Sequence, residues 1–348
     1  MDIGFYLPAH WHDTSRHAVH MYREMLVEAR AAEQLGFSSL HIPEHHFINY
    51  LTHPHPLITA ARVAAETQHL PIVTAVLVLP FYDMRRLAGE IALADCLTEG
   101  RLEVGVGRGA FNYEFGRFGV SAEESRERFD EALIVLRKLL TEEEVSFKGR
   151  WYDFPPLTIT PRPLQQPHPP IWIAALTPPA IYHSALAGYD VMTMPLRTEI
   201  DGPLKQAKAF AEARRELGPG RRRRLSMLQF VYVAKDRADA EEKLRICHVA
   251  QHRFHNVFST PGDVRGGDIQ PIEIELTLEA LAERTVIGTI DECHEKLSVY
   301  ADLGLDEMVV NMSFGTPHRD VLGSMERLSQ HILPHLKRPT DQGAKVDA

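Results

Sequence analysis

The side chains best suited to chemistry gather at one point of the chain, Glu44-His45-His46, with His53 and His55 close behind. Histidine titrates near neutral pH and passes a proton in either direction, so a histidine held at a reaction centre serves as general acid or base. The chain carries 19 histidines, so residue type alone singles out none of them. Position does, because this tripeptide directly follows an apolar run that reads as a strand. His53-Pro-His55 also resembles a zinc-ligand pair to which Glu44 adds a carboxylate. Only Asp190 and Asn311 stand after later strands to complete such a site, which leaves zinc hydrolysis the weaker reading and no metal expected.

A second candidate is Gly105-Val-Gly107-Arg108-Gly109-Ala110, which matches the dinucleotide fingerprint G-x-G-x-x-G/A letter for letter. The fingerprint works only where a helix starts at once and aims its N-terminus at a pyrophosphate. Here an aromatic, glycine-studded stretch follows (Phe111–Gly119), no helix is expected before Ser121, and the motif follows the fourth strand. A Rossmann site is therefore rejected. A glycine-lined turn still lets a flat ligand approach the backbone while the Arg108 guanidinium pairs with a phosphate. Ala175-Leu176-Thr177-Pro178 joins a strand directly to a helix, with Thr177 as N-cap and proline in the first turn. The amides beyond it suit an anion, although an ordinary cap is the commoner case. Arg221–Arg224 lies in a Gly/Pro turn and reads as a solvated loop. Trp151, Tyr152, Trp172, Phe5 and Tyr113 offer stacking surfaces, most of them expected in the core.

The elements that must position these residues alternate along the chain. Strands are expected at Ile3–Leu7, Phe37–Ile42, Ile72–Leu79, Leu102–Val106, Ile171–Ala175, Asp190–Met194, Leu225–Ala234 and Met308–Met312. Between them, helices are expected near 17–36, 56–68, 84–97, 121–140, 178–187, 200–217, 238–254, 290–303 and 319–336. Val19, Tyr22, Met25, Leu26, Ala29 and Ala32 keep the spacing of one buried helical face, and Ile72–Leu79 is apolar on both faces, as a central parallel strand requires. Eight such units predict a single (β/α)8 TIM barrel with insertions over residues 1–337, in preference to a doubly wound open sheet. In a barrel the site lies at the carboxyl ends of the strands, where Glu44-His45-His46 falls. Residues 338–348 read as a disordered tail.

Composition removes several classes of function. At 348 residues, 44% hydrophobic and 24% charged, the chain buries a large core. A net charge of −9 argues against nucleic acid or an anionic membrane as partner. Its three cysteines (Cys96, Cys247, Cys293) form no Cys-x-x-Cys pair, which fits a reducing compartment. No targeting segment or spanning stretch is evident, so a cytoplasmic protein is expected.

Taken in order, several segments resemble the bacterial luciferase-like, flavin-dependent monooxygenases. These are Gly4–Leu7, Gly36-Phe37 through His46-Phe47, Thr74–Pro80, Glu99–Gly109 running into Asn112 and Phe115, and Val286–Cys293. The resemblance covers essentially the whole chain. It implies a barrel that binds reduced FMN at the carboxyl ends of its strands. Oxygen would add to the flavin to give a peroxyflavin that oxidises a small organic substrate, an aldehyde or ketone being favoured. A separate NAD(P)H-dependent flavin reductase would supply the reduced FMN, and a homodimer is the default. Carried over by position, His45 is the catalytic histidine, and Arg108, Ala175, Leu176 and Thr177 fall in the phosphate-holding segments. Ala75–Val76 corresponds to a non-prolyl cis peptide against the flavin, Gly107 to a reactive cysteine of luciferase, and Ser259–Glu275 to a mobile lid. Glu44, His46 and Phe111 are placed near substrate and lid. Ala180 and Pro178-Pro179 depart from the family pattern at the phosphate, and light emission is not implied. A deazaflavin-dependent oxidoreductase and a non-catalytic partner subunit, as the luciferase β chain is to the α chain, stay open.

Overall fold

The structure is a computed structural model that describes residues 1–195, 201–218, 223–259 and 261–336. Eight parallel strands close on themselves: β1 (Asp2–Tyr6), β2 (Leu40–Ile42), β3 (Ile72–Thr74, resumed at Leu77–Val78), β4 (Leu102–Gly107), β5 (Ile171–Ala174), β6 (Asp190–Thr193), β7 (Leu225–Val233) and β8 (Glu307–Asn311). Each pairs in parallel with the next, and β8 pairs with β1, so no edge remains in the ring. The eight expected strands are these eight, and the expected (β/α)8 barrel is the fold.

Helices α1 (Val19–Gln34), α2 (Pro56–Ala64), α3 (Met84–Leu97), α4 (Asn112–Phe118), α5 (Ser125–Thr141), α6 (Pro178–Leu186), α7 (Gly202–Leu217), α8 (Arg237–Ser259), α9 (Leu278–Arg284), α10 (Ile290–Asp302) and α11 (His318–His331) surround it. Most of the core lies between this layer and the outward faces of the strands, where Ile72, Val104, Ile173, Val191 and Val310 meet Leu87, Ile91, Val135 and Leu136. Among the described residues no helix is long and apolar enough to cross a membrane.

Three features differ from the sequence expectation. A helix does follow the glycine turn: α4, seven residues long and ended by Gly119 at φ 65°. It is too short for apolar periodicity to show. The helix expected from 121 starts at Ser125 as α5; the Ser121 hydroxyl accepts from the Glu124 N–H at 3.4 Å in the preceding turn. An antiparallel hairpin (145–148 with 153–157) and a short strand Val286–Gly288, paired with Val231–Val233 outside the ring, were not expected. The tail 338–348, Ile200, Arg221, Arg222 and Thr260 lie outside the described residues.

The barrel interior is layered by strand alternation. At the amino-terminal end, Arg224 bonds Asp190 at 2.8 Å and Glu103 at 2.7 Å and stacks over Trp172 at 4.4 Å. Arg224 therefore belongs to this ion network and not to a solvated loop. Beside it Glu307 accepts from Ser38, Ser39, His41 and Ser226. Burial raises the Glu307 carboxyl, but His41 and the serine hydroxyls outweigh it and hold the group at about 2.

Candidate active site

At the opposite, carboxyl-terminal mouth the interior positions carry small side chains. Gly107 and Ala174 end β4 and β5, and Ala75 follows Thr74 where the neighbouring β3 is interrupted. The glycines here are sterically required. A Cβ on Gly105 would lie 1.9 Å from the Thr74 carbonyl oxygen, and one on Gly107 would lie 2.7 Å from Val76 Cγ2 and 3.5 Å from Ala174 Cβ. Ala174 is exposed at the mouth. The Ala75–Val76 peptide is cis, where the resemblance placed such a bond. Together these residues make a floor of backbone and small side chains.

Anion-binding groups flank one side of that floor. The pairing Val106–Ile173 sets Arg108 beside Ala175 two residues on. Arg108 is exposed and makes no ion pair or hydrogen bond among the described residues. Thr177 caps α6 as expected, its side chain accepting from the Ala180 N–H at 3.4 Å. The expected anion site in the first turn of that helix is not there. Pro178 and Pro179 have no N–H, Ala180 is used by the cap, and the Ile181 N–H bonds the Thr177 carbonyl. The free donors precede the helix: the N–H groups of Leu176 and Thr177 bond no described residue.

The histidine tripeptide closes another side. His45 stacks flat on Phe111, centroids 4.1 Å apart and planes 11° from parallel. Its Nδ1 lies 3.0 Å from Oε1 of Glu114, and the same oxygen accepts the His46 N–H at 2.7 Å. His46 is held by a different carboxylate, with its Nε2 2.8 Å from Glu44 Oε1, while Glu44 Oε2 accepts from the Val78 N–H at 3.0 Å. With both oxygens engaged and its side chain fully buried, Glu44 supports His46 and does not face a substrate. His46 is ringed by Phe81 and Phe118.

The metal reading separates. His53 Nε2 donates to the Leu7 carbonyl at 2.9 Å, and burial pushes its pKa down to about 4. His55 pairs with Glu90 at 3.2 Å, and Asp190 is bound by Arg224 at the other end of the barrel. Among the described residues no three metal-ligating side chains converge.

A roof covers the mouth. Phe254, Val257 and Phe258 of α8, with Val264 and Ile269 of a two-stranded hairpin, pack on Tyr6, Tyr50, Phe111 and Val309. Asn49 ties the hairpin down: its N–H donates to Gly267 O at 2.7 Å and its side chain to Asp268 Oδ1 at 2.8 Å. The hairpin falls within the expected lid, 259–275, whereas Phe254, Val257 and Phe258 precede it.

Sequence reasoning missed Glu114 and His10. His10 lies just beyond β1, and burial among His12, His53 and His45 drives its pKa well down, so the ring is neutral. The Leu51 N–H donates to its Nδ1 at 3.3 Å, which places the hydrogen on Nε2, and that atom is buried without a partner. Asn311 Oδ1, at the end of β8, is likewise buried and unmet. An unmet buried polar atom costs about 1–3 kcal/mol, which makes such atoms informative about function.

Comparison with known proteins agrees with this architecture. A family model described as luciferase-like monooxygenase matches residues 1–307. The chain is 29% identical over 323 residues, 90% of its own length and 89% of the relative's, to the oxygenase component of a flavin-dependent trigonelline monooxygenase from Acinetobacter baylyi. Among solved structures, monooxygenase RslO1 from Streptomyces bottropensis superposes with a TM-score of 0.84 at 28% identity, covering 97% of this chain and 100% of that one. Two more distant structures share the fold. The oxygenating constituent of a 3,6-diketocamphane monooxygenase from Pseudomonas putida, in complex with FMN, has a TM-score of 0.75 at 19% identity over 97% of this chain and 100% of that one. An F420-dependent secondary alcohol dehydrogenase has 0.76 at 18% over 97% and 99%. Parallel barrel, small-residue mouth and matched family model together define the class: this chain belongs to the luciferase-like monooxygenases.

Proposed function

We propose that this protein is the oxygenase component of a two-component system. It would receive reduced FMN from a separate NAD(P)H-dependent flavin reductase and oxidise a small neutral substrate such as an aldehyde or ketone. The observation that carries this reading is the floor of Ala75, Gly107 and Ala174 with free anion-binding groups on one side and a fixed histidine on another. When bound, reduced flavin supplies the two electrons with which molecular oxygen gives one atom to the substrate and the other to water.

The residues present fit that cofactor. The exposed, unpaired Arg108 guanidinium, the Leu176 and Thr177 N–H groups and the Thr177 hydroxyl suit a phosphate. Ala75, Val76 and Gly107 present backbone and small side chains to a flat ring, and Ala175 holds the segment by donating its N–H to the Met192 carbonyl at 3.0 Å. His45 holds or moves a proton at its ring nitrogen, with Phe111 fixing the ring plane. The apolar roof of Phe254, Phe258, Val264 and Ile269 excludes water.

A homodimer belongs to this proposal. Ile58 of α2 and Leu93 and Leu97 of α3 stand 68%, 49% and 56% exposed on two neighbouring helices, the kind of apolar surface that marks an interface.

Anaerobic titration with reduced FMN, followed by admission of air, tests the proposal. Saturable binding and reoxidation slower than that of free FMN, with an absorbance unlike either oxidised or reduced flavin, are expected. Binding with immediate reoxidation favours the partner-subunit reading. No binding of reduced FMN overturns the proposal, and binding of the reduced deazaflavin in its place establishes that alternative.

A further inference from the structure

The two histidines of the tripeptide are gripped at opposite nitrogens by different carboxylates. Glu44 meets His46 at Nε2. Glu114 meets His45 at Nδ1, from a helix that begins directly after the glycine turn. The Glu114 side chain is 1% exposed, whereas the His45 side chain keeps 16%. Its Oε1 already accepts the His46 backbone N–H, a group that can only donate. An ionised carboxylate only accepts, so the ring nitrogen facing it must carry the hydrogen.

From this geometry we infer that Glu114 is a positioning residue. It locks His45 as the Nδ1–H tautomer and leaves Nε2 as the basic nitrogen of that ring. The inference rests on the reading of His45 as the proton-transfer group, and it names what sets the direction of that transfer. A neutral imidazole has one donor and one acceptor nitrogen, and the partner of the first decides which edge is basic.

Three further features support the assignment. Phe111, stacked on His45 at 4.1 Å, fixes the plane in which the ring meets Glu114. His10 and His53, which both interact with His45, have lowered pKa values through burial, so neither brings a competing charge at neutral pH. Glu114 stands in α4 immediately beyond the Gly105–Gly109 turn, so one segment carries both the phosphate-facing Arg108 and the carboxylate that orients His45.

The test needs no substrate. Uniformly 15N-labelled protein is examined by long-range proton–nitrogen NMR of the histidine rings at a pH where they are neutral. His45 is identified by loss of its signals in His45→Gln. Wild type is expected to show His45 protonated at Nδ1 and bare at Nε2, and His46 protonated at Nε2. Glu114→Met, close in size but without an acceptor, is expected to abolish the Nδ1–H preference of His45 while leaving the His46 tautomer held by Glu44. Glu114→Gln retains an acceptor oxygen and is expected to restore that preference, which separates tautomer control from packing. Once a substrate is in hand, Glu114→Met should lower turnover about 10²-fold, with reduced FMN affinity held within about threefold.

A wild-type His45 protonated at Nε2, or a tautomer indifferent to Glu114→Met, overturns the inference. If the NMR result holds but His45→Gln turns over as fast as wild type, the catalytic reading fails and the tautomer assignment survives.

Discussion

The two ends of the barrel interior are built to different rules. At the amino-terminal end the interior charges are paired with one another: Arg224 joins Asp190 and Glu103, and Glu307 gathers His41 and three serines. At the carboxyl-terminal mouth, among the described residues, Arg108 has no partner, the Leu176 and Thr177 N–H groups are free, and His10 Nε2 and Asn311 Oδ1 are buried and unmet. Buried polar groups are normally satisfied within the protein, and exceptions concentrate where a ligand completes them. The same strands therefore supply stability at one end and leave interactions open at the other.

The contrast is broken most severely by removing the histidine that is both stacked on Phe111 and held by Glu114. His45→Ala should lower turnover by about 10²–10⁴ while reduced FMN affinity stays within a few-fold, as read by paired kinetic and binding titrations. A smaller but global effect comes from pH. Burial, the first cause in each case, holds His53 and His12 at about 4 and keeps His10 well below its ordinary value. The unfolded chain takes up these protons first, so this contribution is complete above about pH 6.5 and is lost as pH falls towards 4. Urea midpoints measured from pH 7 to 4 should fall over this window, and His53→Gln should flatten the slope.

At the other end, Arg224→Met leaves Glu103 and Asp190 without their cation. It should cost about 2 kcal/mol, less than the 3–5 of a fully buried pair because the guanidinium is partly exposed. Denaturation should detect it, and reduced FMN binding should not change. Arg108→Ala should do the reverse, with stability kept and reduced FMN affinity lowered about tenfold, the scale of one charge-assisted hydrogen bond.

The fold was legible because each barrel strand is an apolar run of the length a buried parallel strand needs. Ile72–Leu79 and Leu102–Val106 announce themselves without help from neighbours. What escaped notice lacked such a signal. The hairpin at 145–157 is largely exposed, and α4 is too brief for a periodicity to emerge. Glu114 could not be linked to His45 by spacing, because 69 residues separate the two and only the parallel pairing of β2, β3 and β4 brings them together. A clue lay in Gly119, whose φ of 65° ends α4 and which stands where a helix-terminating glycine would. Thr177 was legible as a cap, but the two prolines behind it carried a consequence that composition does not advertise: they remove the very amides that a helix start would offer an anion.

The central claim is that the carboxyl-terminal mouth of the barrel, and not its amino-terminal end, holds reduced flavin. Anaerobic titration of wild type, Arg108→Ala and Arg224→Met with reduced FMN, following flavin fluorescence or protein quenching, tests it directly. The account predicts saturable binding in wild type, about tenfold weaker binding in Arg108→Ala, and wild-type binding in Arg224→Met at temperatures where that variant stays folded. Equal affinity in wild type and Arg108→Ala, or loss confined to Arg224→Met, would contradict it.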